Sequence, residues 1–164
     1  MKHSRIAPLV VACAGVALWS AAASAQTARP AATRCNTVLT QKEAAAIVGT
    51  SFQGPAVREP SPGFTSCEWQ GEDANFGFTF ASTRALRADG NTADQAFNND
   101  LVAVESDARK REALPKIGLK AASVNLGDGA FLVEVQRADG VARMTFYKVP
   151  EDKMLALARA VGTP

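Results

Sequence analysis

Only a few residue types in this chain could carry chemistry. The one histidine is His3, so past the first residues there is no imidazole to serve as general base, proton shuttle or metal ligand. A Ser-His-Asp or Cys-His nucleophile pair is therefore excluded from the body of the chain. Carboxylates occur at Glu68, Glu72, Asp73 and in the Asp89 to Asp94 loop. Paired carboxylates can hydrolyse glycosides, but only at a set separation across a cleft. Asp89-Gly90-Asn91 lacks the spacing and the closing Glu of an EF-hand, so these groups read as turn residues. Gly127-Asp128-Gly129 reads as a turn between strands, because no helix follows it to cradle a phosphate. No catalytic residue, metal site or cofactor is expected. The densest basic stretch is Arg109, Lys110 and Arg111 with Lys116 and Lys120 beyond, a candidate contact for an envelope or secreted protein, or for an anionic glycan or lipid. The same charges also suit the carbonyl end of a helix.

The first 25 residues have the three-part order of a secretory signal peptide. Lys2 and Arg5 precede an apolar run from Ile6 to Trp19, and small residues lead to Ala23-Ser24-Ala25. The run is shorter than the roughly 20 residues that span a bilayer. Val10-Val11-Ala12-Cys13 loosely fits a lipoprotein box, but the apolar stretch continues past Cys13 to the better cleavage site after Ala25. The expectation is a periplasmic or secreted protein, without a transmembrane segment once residues 1–25 are removed. His3, Cys13 and Trp19 leave with that segment. The 18 Lys and Arg exceed the 16 Asp and Glu only through Lys2 and Arg5, so the remainder is balanced and nucleic acid is not an expected partner.

Cys35 and Cys67 are then the two cysteines of an exported chain, spaced unlike a Cys-x-x-Cys redox pair. They are expected to form one structural disulfide, which the chain-entropy model credits with about 3.5 to 4 kcal/mol. Residues 26–34 read as a flexible leader, and residues 35–164 as a single domain.

The elements that would position these groups follow from caps and periodicity. Thr40-Gln41-Lys42-Glu43 fits a capping box and Gly49 a helix stop. Strands are expected over Phe52 to Arg58, Phe64 to Gln70 and Asn75 to Ser82. Phe76, Phe78 and Phe80 share one face as core, and Trp69 falls beside the disulfide with Thr65 and Cys67. A second capping box at Thr92 opens a long helix reaching about Ala113, with Phe97, Leu101, Val104 and Ala108 on its inner side. Val124 to Gln136 and Val141 to Val149 read as strands joined at Asp139-Gly140, and Pro150-Glu151-Asp152 opens a last helix. The order predicts an α+β fold, an antiparallel sheet of about five to six strands with helices packed on one face.

Three short patterns, Cys35-Asn36-Thr37-Val38-Leu39-Thr40, Cys67-Glu68-Trp69 and Leu126-Gly127-Asp128-Gly129-Ala130-Phe131, make the chain resemble a group of small exported bacterial domains of unknown function, common among actinobacterial lipoproteins. The resemblance implies a binding or envelope-associated module and carries no catalytic residues. The expected function is an exported non-enzymatic binding or interaction module of the bacterial envelope. The alternatives are a histidine-free carboxylate-based hydrolase and an inhibitor of a secreted enzyme.

Overall fold

The computed structural model describes Cys35 and residues 38–162; the expected signal peptide, Cys13 and the leader lie outside the described residues. Helix α1 (Gln41–Val48) begins as its capping box requires. The Thr40 hydroxyl accepts from the Glu43 N–H at 3.2 Å, and the Glu43 carboxylate accepts from the Thr40 N–H at 2.8 Å. The Thr40 N–H and the Thr40 hydroxyl, at 2.7 Å, both donate to the Glu43 carboxylate and hold it below its usual range. Gly49 ends the helix in the left-handed region, φ 84°.

Three strands follow, β1 (Gln53–Ser61), β2 (Phe64–Gln70) and β3 (Asn75–Ser82), then two helices, α2 (Thr83–Ala88) and α3 (Ala93–Val104). Four more strands, β4 (Arg111–Ala113), β5 (Lys120–Gly127), β6 (Ala130–Arg137) and β7 (Gly140–Tyr147), precede α4 (Glu151–Gly162). All seven strands join one sheet in the order β1-β2-β3-β7-β6-β5-β4, antiparallel throughout. Among the described residues no helix is long and apolar enough to cross a membrane.

The fold is α+β, as expected, but it departs from expectation in two respects. There are seven strands rather than five or six. The stretch Val124 to Gln136 spans two strands, and the chain reverses at Gly127-Asp128-Gly129, the turn expected there, all three with positive φ and with the Asn125 side chain accepting from the Gly127 N–H. The expected last turns of α3 are replaced by a tight turn and β4. Helices also pack on both faces of the sheet. The first face carries Cys67, Trp69, Phe76, Phe78, Val133, Val135, Met144 and Phe146, covered by Leu39, Ala44 and α4 through Met154, Leu157, Ala158 and Val161. The second carries Ala122, Val124, Leu132 and Val141 beneath Leu86 of α2 and Phe97 and Leu101 of α3. The physical reason lies in β5 and β6, where consecutive residues such as Leu132-Val133 are apolar, so both of their faces need cover.

The core expectations hold. Cys35 and Cys67 are bonded, with Cα atoms 6.0 Å apart, and both are buried. Trp69 stacks on Phe76 at 4.8 Å between ring centroids and faces Phe78 at 6.1 Å. The β6–β7 hairpin turns through Ala138 and Asp139, one residue before the expected Asp139-Gly140, and Gly140 opens β7 paired with Arg137. Its missing side chain is required there, because a Cβ would run into the Ala81 carbonyl and the Phe80 ring. Arg137 anchors the hairpin to α4, donating to the Val161 carbonyl at 2.6 Å and to Asp139 at 2.9 Å.

Candidate functional site

The expected basic surface is divided by the fold. α3 ends at Val104 instead of Ala113, because Glu105 turns into extended backbone and Ser106 and Arg109 close a tight turn through reciprocal backbone bonds. Ser and Asp at 106 and 107 favour such a turn over helix interior. Arg111 then opens β4 and reaches back to Glu105 through Nε and Nη2 at 2.5 and 2.8 Å, and to Asn98 at 3.0 Å. That hydrogen bonding lowers the Glu105 carboxyl and raises Arg111 from their ordinary values. Lys110 pairs with Asp107, and Lys120 with Asp94 while lying 4.3 Å from the Phe97 ring centroid. Arg111 registers with Val124, so Lys120 sits four residues away along β5, about 13 Å. Arg109 to Arg111 and Lys116 to Lys120 thus occupy opposite ends of the β4–β5 ribbon. Of the five, Arg111 is largely satisfied within the fold, while Arg109 and Lys116 remain exposed.

The groups that do converge lie on the second face, where the helical cover stops. α3 overlies β7, β6 and β5 and α2 lies over the β3–β7 end, where Ala81 packs against the same cluster; Ser66, Glu68, Gly77 and Thr79 of this face stay only half-buried. At the border stands a cross-strand pair, Glu134 on β6 opposite Arg143 on β7. Arg143 Nε donates to Glu134 Oε1 at 3.0 Å, and Nη2 of the same guanidinium forms an ion pair with Asp100 of α3. Glu134 is completely buried, whereas the Asp100 side chain is 37% exposed. Burial pushes the Glu134 carboxyl up to about 8, and burial also lowers the Arg143 guanidinium. One cation serves two carboxylates, and burial holds the inner one, Glu134, protonated near neutrality. Its second oxygen has no hydrogen-bond partner among the described residues.

Two adjoining hollows meet at Arg143 and Thr79. One, about 330 Å³, lies between β7 and α3 and is walled by Phe64, Leu86, Asp89, Asn91, Asn99 and Asp100, with Glu134 in its floor. The other, about 210 Å³, opens over Gly77 and is ringed by Ser66, Glu68, Asn75, Thr79 and Thr145. Gly77 supplies its depth, since registered neighbours Glu68 and Thr145 rise on either side of a residue without a side chain. The Thr79 hydroxyl lies within hydrogen-bond distance of Ser66 at 3.4 Å, and Gln70 donates to Glu68 at 3.2 Å.

The furrow offers a mixed set of donors and acceptors. An acid–base pair for glycoside hydrolysis needs its two carboxyls to flank the scissile bond. Here the Arg143 guanidinium bridges Glu134 and Asp100. Among the described residues, no group of three His, Cys, Asp or Glu side chains is placed to hold a metal ion.

Of the carboxylates singled out in the sequence, Asp89 and Glu68 line this furrow, while Asp94 is engaged by Lys120. Glu134, Arg143 and Asp100 did not stand out there. The available signal was Glu134 between Val133 and Val135, a charge inside a run apolar on both faces, which a fold leaves unpaired only at high cost. No protein-family model matches the chain, and no curated protein or solved structure matches it significantly.

Proposed function

We propose that this protein is an exported, non-enzymatic binding module of the bacterial envelope, periplasmic or secreted, whose contact surface is the uncovered half of the second sheet face. The observation that carries the reading is a change of side-chain character across that face. Under α2 and α3 it is Leu132, Val141, Ala122 and Val124; beyond them it is Ser66, Glu68, Gly77, Thr79, Arg143 and Thr145. A half-buried concavity of hydroxyls with one guanidinium and one carboxylate suits recognition, since its polar groups already face a common space. The Cys35–Cys67 bond supports an oxidising compartment. The partner is an envelope or secreted protein, or a glycan of the envelope. The basic residues from Arg109 to Lys120 fall at the two ends of a ribbon, so the furrow, whose polar groups face one space, is the surface favoured here. The patterns shared with small exported domains fall at the Thr40 cap, the disulfide and the Asp128 turn, so they specify scaffold rather than ligand.

In-cell formaldehyde crosslinking of the tagged chain, followed by mass spectrometry, tests the reading. Recovery of a reproducible partner that is lost in Thr145→Arg is expected, because Thr145 is exposed and the new side chain would fill the furrow. The same partner recovered equally from Thr145→Arg would overturn it, and so would the absence of any protein partner together with no binding of envelope glycan by the unaltered chain.

A further inference from the structure

The hollow between β7 and α3 has a lining whose charges exclude the simplest ligands. An anion placed there would face Asp100 and Asp89, and a cation would face the Arg143 guanidinium. A hydroxyl group both donates and accepts, so it can meet a carboxylate and a guanidinium alike. The amides of Asn91 and Asn99 add the same dual capacity. Size narrows the choice further. About 330 Å³ lies at the lower end of the roughly 300 to 1,000 Å³ of small-molecule pockets. It accommodates one ring and excludes a folded peptide segment or a lipid chain. Phe64, Leu86 and Val141 give one wall an apolar surface against which C–H groups can pack.

Resting on the reading of this face as a binding surface, we propose that the hollow between β7 and α3 receives a neutral polyhydroxylated ring, one sugar unit of an envelope glycan. Arg143 and Asp100 are its polar anchors and Phe64 its apolar wall. Glu134 is a positioning residue: it lies beneath Arg143 and fixes the guanidinium from below while Asp100 fixes it from the side. The Nη1 amino group is used by neither of those contacts. A donor held on two sides loses little conformational freedom when a ligand arrives, which favours binding even in a shallow site.

The test is a titration of the 15N-labelled secreted chain with glucose, galactose, mannose and N-acetylglucosamine in turn, into the millimolar range, followed by amide chemical shifts. At least one sugar is expected to give saturable shifts centred on Asn91, Asn99, Asp100 and Arg143. Asn99→Ala, at an exposed position, is expected to weaken that sugar about 5- to 10-fold with the remaining spectrum unchanged. Silence towards all four sugars overturns the proposal, as does a saturable response at these residues to ethanolamine or acetate instead. If the sugars are silent while Thr145→Arg still abolishes partner recovery, the ligand class falls and the binding face stands. If both experiments are negative, both fall.

Discussion

The second face of the sheet holds two neighbouring regions built on the same strands. Over β5, β6 and the start of β7 it is apolar and roofed by α3 and by Leu86 of α2; along β2 and β3 it carries Ser66, Glu68, Gly77 and Thr79, small or polar and only half-buried. β7 belongs to both, with Val141 under the helices and Thr145 in the open. An antiparallel sheet needs apolar cover on one face only, and β2 and β3 have theirs on the first face, against the disulfide and α1. Their second face is therefore free of the packing constraint that fixes Leu132 and Val124. The contrast separates residues that hold the fold from residues available to a partner.

The sharpest break in this comparison is on the buried side. Trp69→Ala, which removes a fully buried ring stacked on Phe76, is expected to cost about 3 to 5 kcal/mol in urea unfolding.

At the border between the regions, the Glu134 carboxyl titrates near 8 in the fold, against about 4.3 in an unfolded chain. The fold binds the extra proton between those values. Its contribution to stability is thus full below about pH 4.3 and is lost as pH rises through about 8, with a steepest slope of about 1.4 kcal/mol per pH unit. Glu134→Gln is expected to flatten that decline in denaturant melts between pH 5 and 8; an unchanged slope would mean that Glu134 ionises in the fold as it does in the unfolded chain.

Thr92→Ala removes the hydroxyl that accepts from Gln95 at the start of α3, the helix that roofs the apolar half. It is expected to cost about 1 kcal/mol by thermal melting. The smallest effect belongs to the open half. Thr145→Ala is expected to change stability by less than about 0.5 kcal/mol, and a larger loss would mean that this half also holds the fold together.

What was legible in the sequence is what short-range rules govern. The caps at Thr40 and Thr92, the stop at Gly49 and the alternation of Phe76 and Phe78 each depend on a few neighbouring residues, and the cysteine pairing, 32 residues apart, was legible because only two cysteines follow the expected signal peptide. What escaped depends on contacts across the sheet. The apolar spacing of α3 continues in the sequence to Ala108, yet Glu105 turns out of the helix and engages Arg111, six residues on. β4 is three residues of an edge strand with no alternation to betray it, and its existence depends on β5. α2, six residues capped by Ser82, was likewise too short for helical periodicity to show. The site is the extreme case. Glu134, Arg143 and Asp100 lie on three different elements, and only the β6–β7 register together with the placement of α3 brings them to one guanidinium.

The central claim is that a partner meets the open half and not the roofed one. A photo-crosslinking amino acid placed at Thr145, and in a separate chain at Val102 on the solvent side of α3, tests it in the native envelope. Discrete crosslinked species from position 145 and none from 102 are predicted. Equal labelling from both positions, or labelling from 102 alone, would contradict the account.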